Sequence, residues 1–169
     1  LRVALILAAL AVAMPDAAAN TIVLTSPNNT TDSRPMIQAA LDAVDSRGGG
    51  VVHLTTGVYY IGPVVGGPQS NMSLQLGSNT HLKMDQDVTL VRRYKNGGEV
   101  NATIRNKLQS GDGNENIRIS GGTIKSLAHS DLYQGKHLGF VKTKYLSVDN
   151  VRFTEVFDEW NTSFVDCTD

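Results

Sequence analysis

Acidic side chains crowd towards the end of the chain, at Asp158, Glu159, Asp166 and Asp169. Two carboxylates held apart with room for a water can act as acid and base on a glycosidic bond. A base facing a cation or arginine can instead drive β-elimination beside a carboxylate. Asp166 is the first candidate. If Val165 and Cys167 point inward by strand alternation, Phe164, Asp166 and Thr168 point outward, where a groove would lie. Asp158 and Glu159 follow it, although an outward acid of this kind also serves as a solvated or turn-capping residue. Trp160, the single tryptophan, follows two carboxylates and offers a ring either for stacking on a sugar or for packing in a core. Arg92-Arg93-Tyr94-Lys95 is the one basic cluster, and it suits either substrate carboxylates or an exposed loop.

Other polar groups carry weaker signals. Asp85-Gln86-Asp87 and Asp112-Gly113-Asn114-Glu115 offer oxygen donors of the kind Ca²⁺ takes, yet neither has the spacing of a calcium loop. His129 with Asp131, and His137 after Lys136, fall in a polar stretch read as a loop, where a histidine is either an acid or base or simply solvated.

The elements that must position these groups are short strands and one helix. From Thr31 to Ile61 the chain reads helix, break, strand, turn, strand. Asp32 or Ser33 can N-cap the helix and Pro35 suits its first turn. Ile37, Ala40, Leu41 and Val44 recur at helical spacing, and Gly48-Gly49-Gly50 ends the helix. Val51 to Leu54 and Val58 to Ile61 are β-branched and aromatic runs around Thr55-Thr56-Gly57. Further on, Ser73 to Leu76, His81 to Met84 and Val88 to Val91 alternate apolar with polar residues, and Arg92 to Asn101 reads as a polar insert.

A repeat then becomes visible. Asn116 to Ile124 aligns without a gap on Tyr145 to Phe153, placing Ile117, Ile119 and Ile124 on Leu146, Val148 and Phe153, with a looser copy at His81 to Leu90. Two alternating inward residues, a turn and another inward residue are what one coil of a parallel β-solenoid needs. An antiparallel sandwich of similar strands is the alternative.

Composition bounds the partners. The chain has 169 residues, 41% hydrophobic and 18% charged, with 15 basic against 16 acidic side chains. This balance argues against a nucleic-acid-binding surface and a polybasic membrane patch. Arg2, the apolar run Val3 to Val12 and Asp16-Ala17-Ala18-Ala19 read as a secretory signal peptide over 1–19, too short for a membrane span. The expectation is a secreted or periplasmic chain from Asn20, off the membrane once cleaved. Cys167 is the single cysteine, so an intrachain disulfide cannot form and stacking must supply the stability. The last strand carries no covering helix, so residues 20–169 are expected to be the N-terminal part of a longer solenoid.

Asp32, Ile37-Gln38-Ala39-Ala40-Leu41-Asp42, Gly48 to Leu54, Gly57 and Tyr59 together resemble the N-terminal signature of the pectate-lyase-like superfamily, with Thr55-Thr56 standing where proline is frequent. The resemblance implies an all-β, right-handed parallel β-helix whose first turn is covered by an amphipathic helix. It also implies a carbohydrate-active protein, a hydrolase or lyase on uronate-type polysaccharide, with Ca²⁺ as cofactor if a lyase. The polygalacturonase-like hydrolase motifs do not occur as a set. The other reading is a non-catalytic glycan-binding, adhesin or tailspike-type solenoid. Under the enzyme reading Asp166, Asp158 and Glu159 are the catalytic candidates, and Trp160, Arg92 and Arg93 bind substrate.

Overall fold

The computed structural model describes residues 20–62, 72–93, 102–127, 136–155 and 162–168. Within them the chain forms one helix and short strands that wind as a right-handed parallel β-helix. β1 (Thr21–Leu24) and α1 (Arg34–Asp45) precede the coils. The first coil is β2 (Gly50–Leu54), β3 (Gly57–Ile61) and β4 (Leu74–Leu76); the second is β5 (Thr80–Met84), β6 (Val88–Arg92) and β7 (Ala102–Asn106). The third is β8 (Asn114–Ser120), β9 (Thr123–Ser126) and β10 (Lys136–Val141), and the fourth is β11 (Thr143–Asp149), β12 (Arg152–Thr154) and β13 (Thr162–Val165).

Like strands stack on like. The first sheet runs β1-β2-β5-β8-β11, the second β3-β6-β9-β12 and the third β4-β7-β10-β13. All the strand pairings are parallel, which excludes the antiparallel sandwich. Parallel stacking follows from the alternation, because each coil buries one side of each strand only when its apolar positions fall over those of the coil before. Val52, Leu82, Ile119 and Val148 form one such column, and Tyr59, Leu90, Ile124 and Phe153 another. The sequence repeat is realised residue for residue, with Leu146 over Ile117, Val148 over Ile119 and Phe153 over Ile124.

Each sheet would expose a row of backbone donors and acceptors at the start of the coil. Three different devices close them. β1 pairs with β2 on the first sheet. Asp32 bridges Tyr60 on the second, with Ser33 N donating to Tyr60 O (2.7 Å) and Asp32 Oδ1 accepting from Gly62 N (2.8 Å). The Gln38 side chain, from α1, covers Gln75 on the third. α1 itself buries Ile37, Ala40, Leu41 and Val44 against the core. Ser33 holds the N-cap position, but its hydroxyl makes no capping bond, and Asp32 Oδ1 accepts from Arg34 N instead (3.0 Å). Gly57 must be glycine: its φ is +143°, and a Cβ there would run into the Ser26 side chain.

The far end differs. Leu146, Val148, Phe164, Cys167 and Thr168 line a cavity of about 330 Å³ on the last coil. Phe164 stacks over Phe140, ring centroids 6.2 Å apart, and stays 49% exposed because its other side has no coil above it among the described residues.

Candidate functional site

The outward-facing expectation for Phe164 is corrected by that stacking. Register pairs Phe164 with the fully buried Phe140, so Phe164 lies on the inward column and Val165 turns outward, 47% exposed. Asp166 then takes φ +50°, a left-handed corner that resets the alternation, so Cys167 turns in to pack against the core. Asp166 stands exposed at that corner. Asp158, Glu159 and Trp160, together with His129 and Asp131, lie outside the described residues.

Arg92 and Arg93 do not form an exposed basic loop. Arg92 closes β6 and is fully buried, donating to Lys136 O (3.0 Å) and Ser126 Oγ (2.7 Å). Arg93 is 3% exposed; it donates to Gly62 O (2.6 and 3.1 Å) and Thr30 O (2.6 Å), and its guanidinium sits 4.5 Å from the centre of the Tyr60 ring. A guanidinium can be buried where carbonyls satisfy its fork of donors, and here it ties coils together. His137 is likewise no loop residue: it lies buried on β10, and burial, with Arg92 nearby, pushes its pKa down to about 4.

In each candidate calcium turn one side chain is engaged by protein groups. Asp85 accepts from His53 and from Thr56 N (3.3 Å), and Asn114 is buried, accepting from Leu108 N (2.7 Å) and donating to Ser78 Oγ (3.1 Å). Among the described residues no three His, Cys, Asp or Glu side chains cluster to hold a metal ion.

A polar site of another kind lies on the outer face of the first sheet. Alternation turns His53, His81, Lys83, Arg118, Ser120, Ser147 and Asp149 outward from four successive strands, opposite the buried Val52, Leu82 and Ile119. Their partners lie one coil away. His53 Nε2 is 2.7 Å from Asp85 Oδ1, His81 Nε2 is 2.7 Å from Ser120 Oγ, and Arg118 Nε donates to Asp149 Oδ2 (2.9 Å), which also accepts from Ser147 Oγ (2.7 Å). The bond to His53 holds Asp85 below the usual carboxylate range, and the Ser147 hydroxyl, with Arg118 behind it, does the same for Asp149. Burial, with Arg118 and Lys83 close by, holds His81 below the usual imidazole range. Tyr145 stands at one border of this face, 58% exposed and at φ +55°, stacked in the corner that Asn79 and Asn116 occupy in earlier coils. The band therefore offers cations, anions, hydroxyls and an aromatic ring along a strand-to-strand repeat. Sequence reading did not single these residues out; the signal available was their shared outward parity in the aligned coils.

No family model matches the sequence, and no curated protein matches it. Among solved structures the fold is similar to PfbA, a surface adhesin of Streptococcus pneumoniae, with a TM-score of 0.53 and 21% sequence identity. The likeness covers 79% of this chain and 33% of that one, so the chain spans about a third of its length. At this identity the likeness shows the β-helix fold.

Proposed function

We propose that this chain is part of an exported, surface-exposed solenoid of the pectate-lyase-like kind that holds a glycan along the outer face of its first sheet. The observation that carries the reading is the outward band itself. His53, His81, Lys83, Arg118 and Asp149 present donors and acceptors from successive coils, and the exposed Tyr145 borders them. Sugar recognition wants this mixture, a ring face for the apolar side of a pyranose and charged groups for hydroxyls and carboxylates. An open, repeating face suits a long chain better than an enclosed pocket does. The structural similarity to a bacterial surface adhesin supports an adhesin-type solenoid over a polysaccharide hydrolase or lyase.

The test is calorimetric titration of the protein with uronate and neutral polysaccharides, with product analysis alongside. Binding that weakens several-fold in Arg118→Ala and in Tyr145→Ala, with ligand length unchanged, supports the proposal. Unsaturated ends would mean a lyase, new reducing ends alone a hydrolase, and absence of binding would remove the glycan reading altogether.

A further inference from the structure

We propose that Ser120 and His81 form a nucleophile–base pair that hydrolyses small ester groups, acetyl esters above all, presented at the outer face of the first sheet. The two residues are 39 apart in sequence yet share the face, Ser120 at the end of β8 and His81 in β5, with Oγ and Nε2 2.7 Å apart. That is the separation at which a base takes the proton of an attacking hydroxyl. Both side chains are partly open to solvent, so a substrate carbonyl can approach without a lid moving. Lys83, exposed, is the register partner of Ser120, and Arg118 is the register partner of His81. Register thus sets one cation opposite each member of the pair on the same face, where positive charge favours a developing oxyanion. Four titratable or charged groups act on His81: Lys83 from its own strand, and Arg118, Asp149 and His53 from the other strands of the sheet. Burial and the two cations favour the neutral ring, which is the proton-accepting form.

The chemistry balances without a cofactor. Ser120 Oγ adds to the carbonyl carbon, its proton passes to His81 Nε2, and the carbonyl π pair moves to oxygen. Collapse breaks the bond to the alcohol oxygen, which leaves with the proton from His81. Water then adds to acyl-Ser120 in the same way, with His81 first taking its proton and then returning one to Ser120 Oγ as the carboxylic acid departs. The glycan backbone is left whole, so the activity is separate from cleavage of a glycosidic bond. The pair depends on its own geometry and not on the glycan-binding reading.

The probes are p-nitrophenyl acetate and a biotinylated fluorophosphonate, used on the whole chain. Expected results are release of p-nitrophenolate, a loss of about 10²- to 10⁴-fold in both Ser120→Ala and His81→Gln, and phosphonate on the peptide that contains Ser120. Far-UV circular dichroism of each variant reports the fold separately, and labelling of the unmutated protein needs no variant at all. A rate no higher than that of Ser120→Ala, or phosphonate that does not map to Ser120, would overturn the proposal. Loss of polysaccharide binding with esterase activity intact would instead remove only the glycan reading.

Discussion

Gln38 and Gln75 share a reciprocal pair of hydrogen bonds: the Gln38 side-chain amide donates to Gln75 O (3.1 Å), and Gln38 Oε1 accepts from Gln75 N (2.9 Å). A helical side chain thereby stands in for the strand that the exposed edge of β4 lacks. Both backbone groups would otherwise face the covering helix without partners, at a cost comparable to a lost hydrogen bond.

Replacing Gln38 by Ala is therefore expected to destabilise the fold by about 1–3 kcal/mol. Gln38→Glu keeps the acceptor but loses the donor, so it should retain part of that stability at neutral pH. Urea unfolding of both variants measures this. Equal losses would mean that only the donating half of the pair matters.

His137 gives a pH dependence. Its ring stacks on Phe153, centroids 5.9 Å apart, and the buried neutral form is favoured, with the pKa down to about 4 from an ordinary 6.5. Between those values the unfolded chain takes up a proton at this position while the folded chain does not. Stability should accordingly fall as pH drops from 6.5 to 4, by up to about 3 kcal/mol from this residue. The depressed carboxylates Asp85 and Asp149 act below their usual range, so their loss comes at lower pH. His137→Phe should flatten the dependence, measured as the difference in unfolding free energy between pH 7 and pH 4.5. An unchanged slope would show that the ring titrates freely in the fold.

Arg93→Ala removes the donors that satisfy Gly62 O and Thr30 O and also the cation over Tyr60. The buried Gly62 carbonyl then loses both of its donors, while the exposed Thr30 can turn to water, and a loss of about 1–3 kcal/mol is expected. Arg93→Lys should recover little of it, since one ammonium cannot reproduce a planar fork. Thermal unfolding of the two variants side by side would show it. Full rescue by lysine would reduce the role of Arg93 to its charge.

Leu82 sits in the middle of an inward column, fully buried between Val52 and Ile119. Leu82→Ala should cost about 2–5 kcal/mol, because rigid coils above and below cannot close over the cavity. Lys83→Ala, next along the same strand but exposed, should cost under about 0.5 kcal/mol. Similar losses at the two positions would contradict the inward and outward assignment.

Much of the architecture was legible in the residues. The helix appeared from the spacing of Ile37, Ala40, Leu41 and Val44, and the coil from the alignment of Ile117, Ile119 and Ile124 on Leu146, Val148 and Phe153, which the register reproduces. These signals are local, since inward residues alternate along a strand whatever lies next to it. Strict alternation placed Cys167 inward correctly but gave Phe164 and Val165 the wrong side, because Asp166 at φ +50° breaks the parity between them and Cys167, and its type allows such a corner without requiring one.

The chain by itself therefore determined the kind of coil, the capping helix and most of the inward columns, because burial of one face is written in the alternating strands such as β2, β5 and β8. Only the tertiary structure decided which side chains meet across coils. His53 and Asp85 are 32 residues apart, His81 and Ser120 39, and Arg118 and Asp149 31, so no constant offset exists to be read. Coil length varies with the loops while stacking aligns the strands, and so the partners of an outward residue are set by the winding. The same physics turned Arg92 and Arg93 inward. A charge pattern that suits an exposed loop was overruled by carbonyls that only the stacked coils bring within reach.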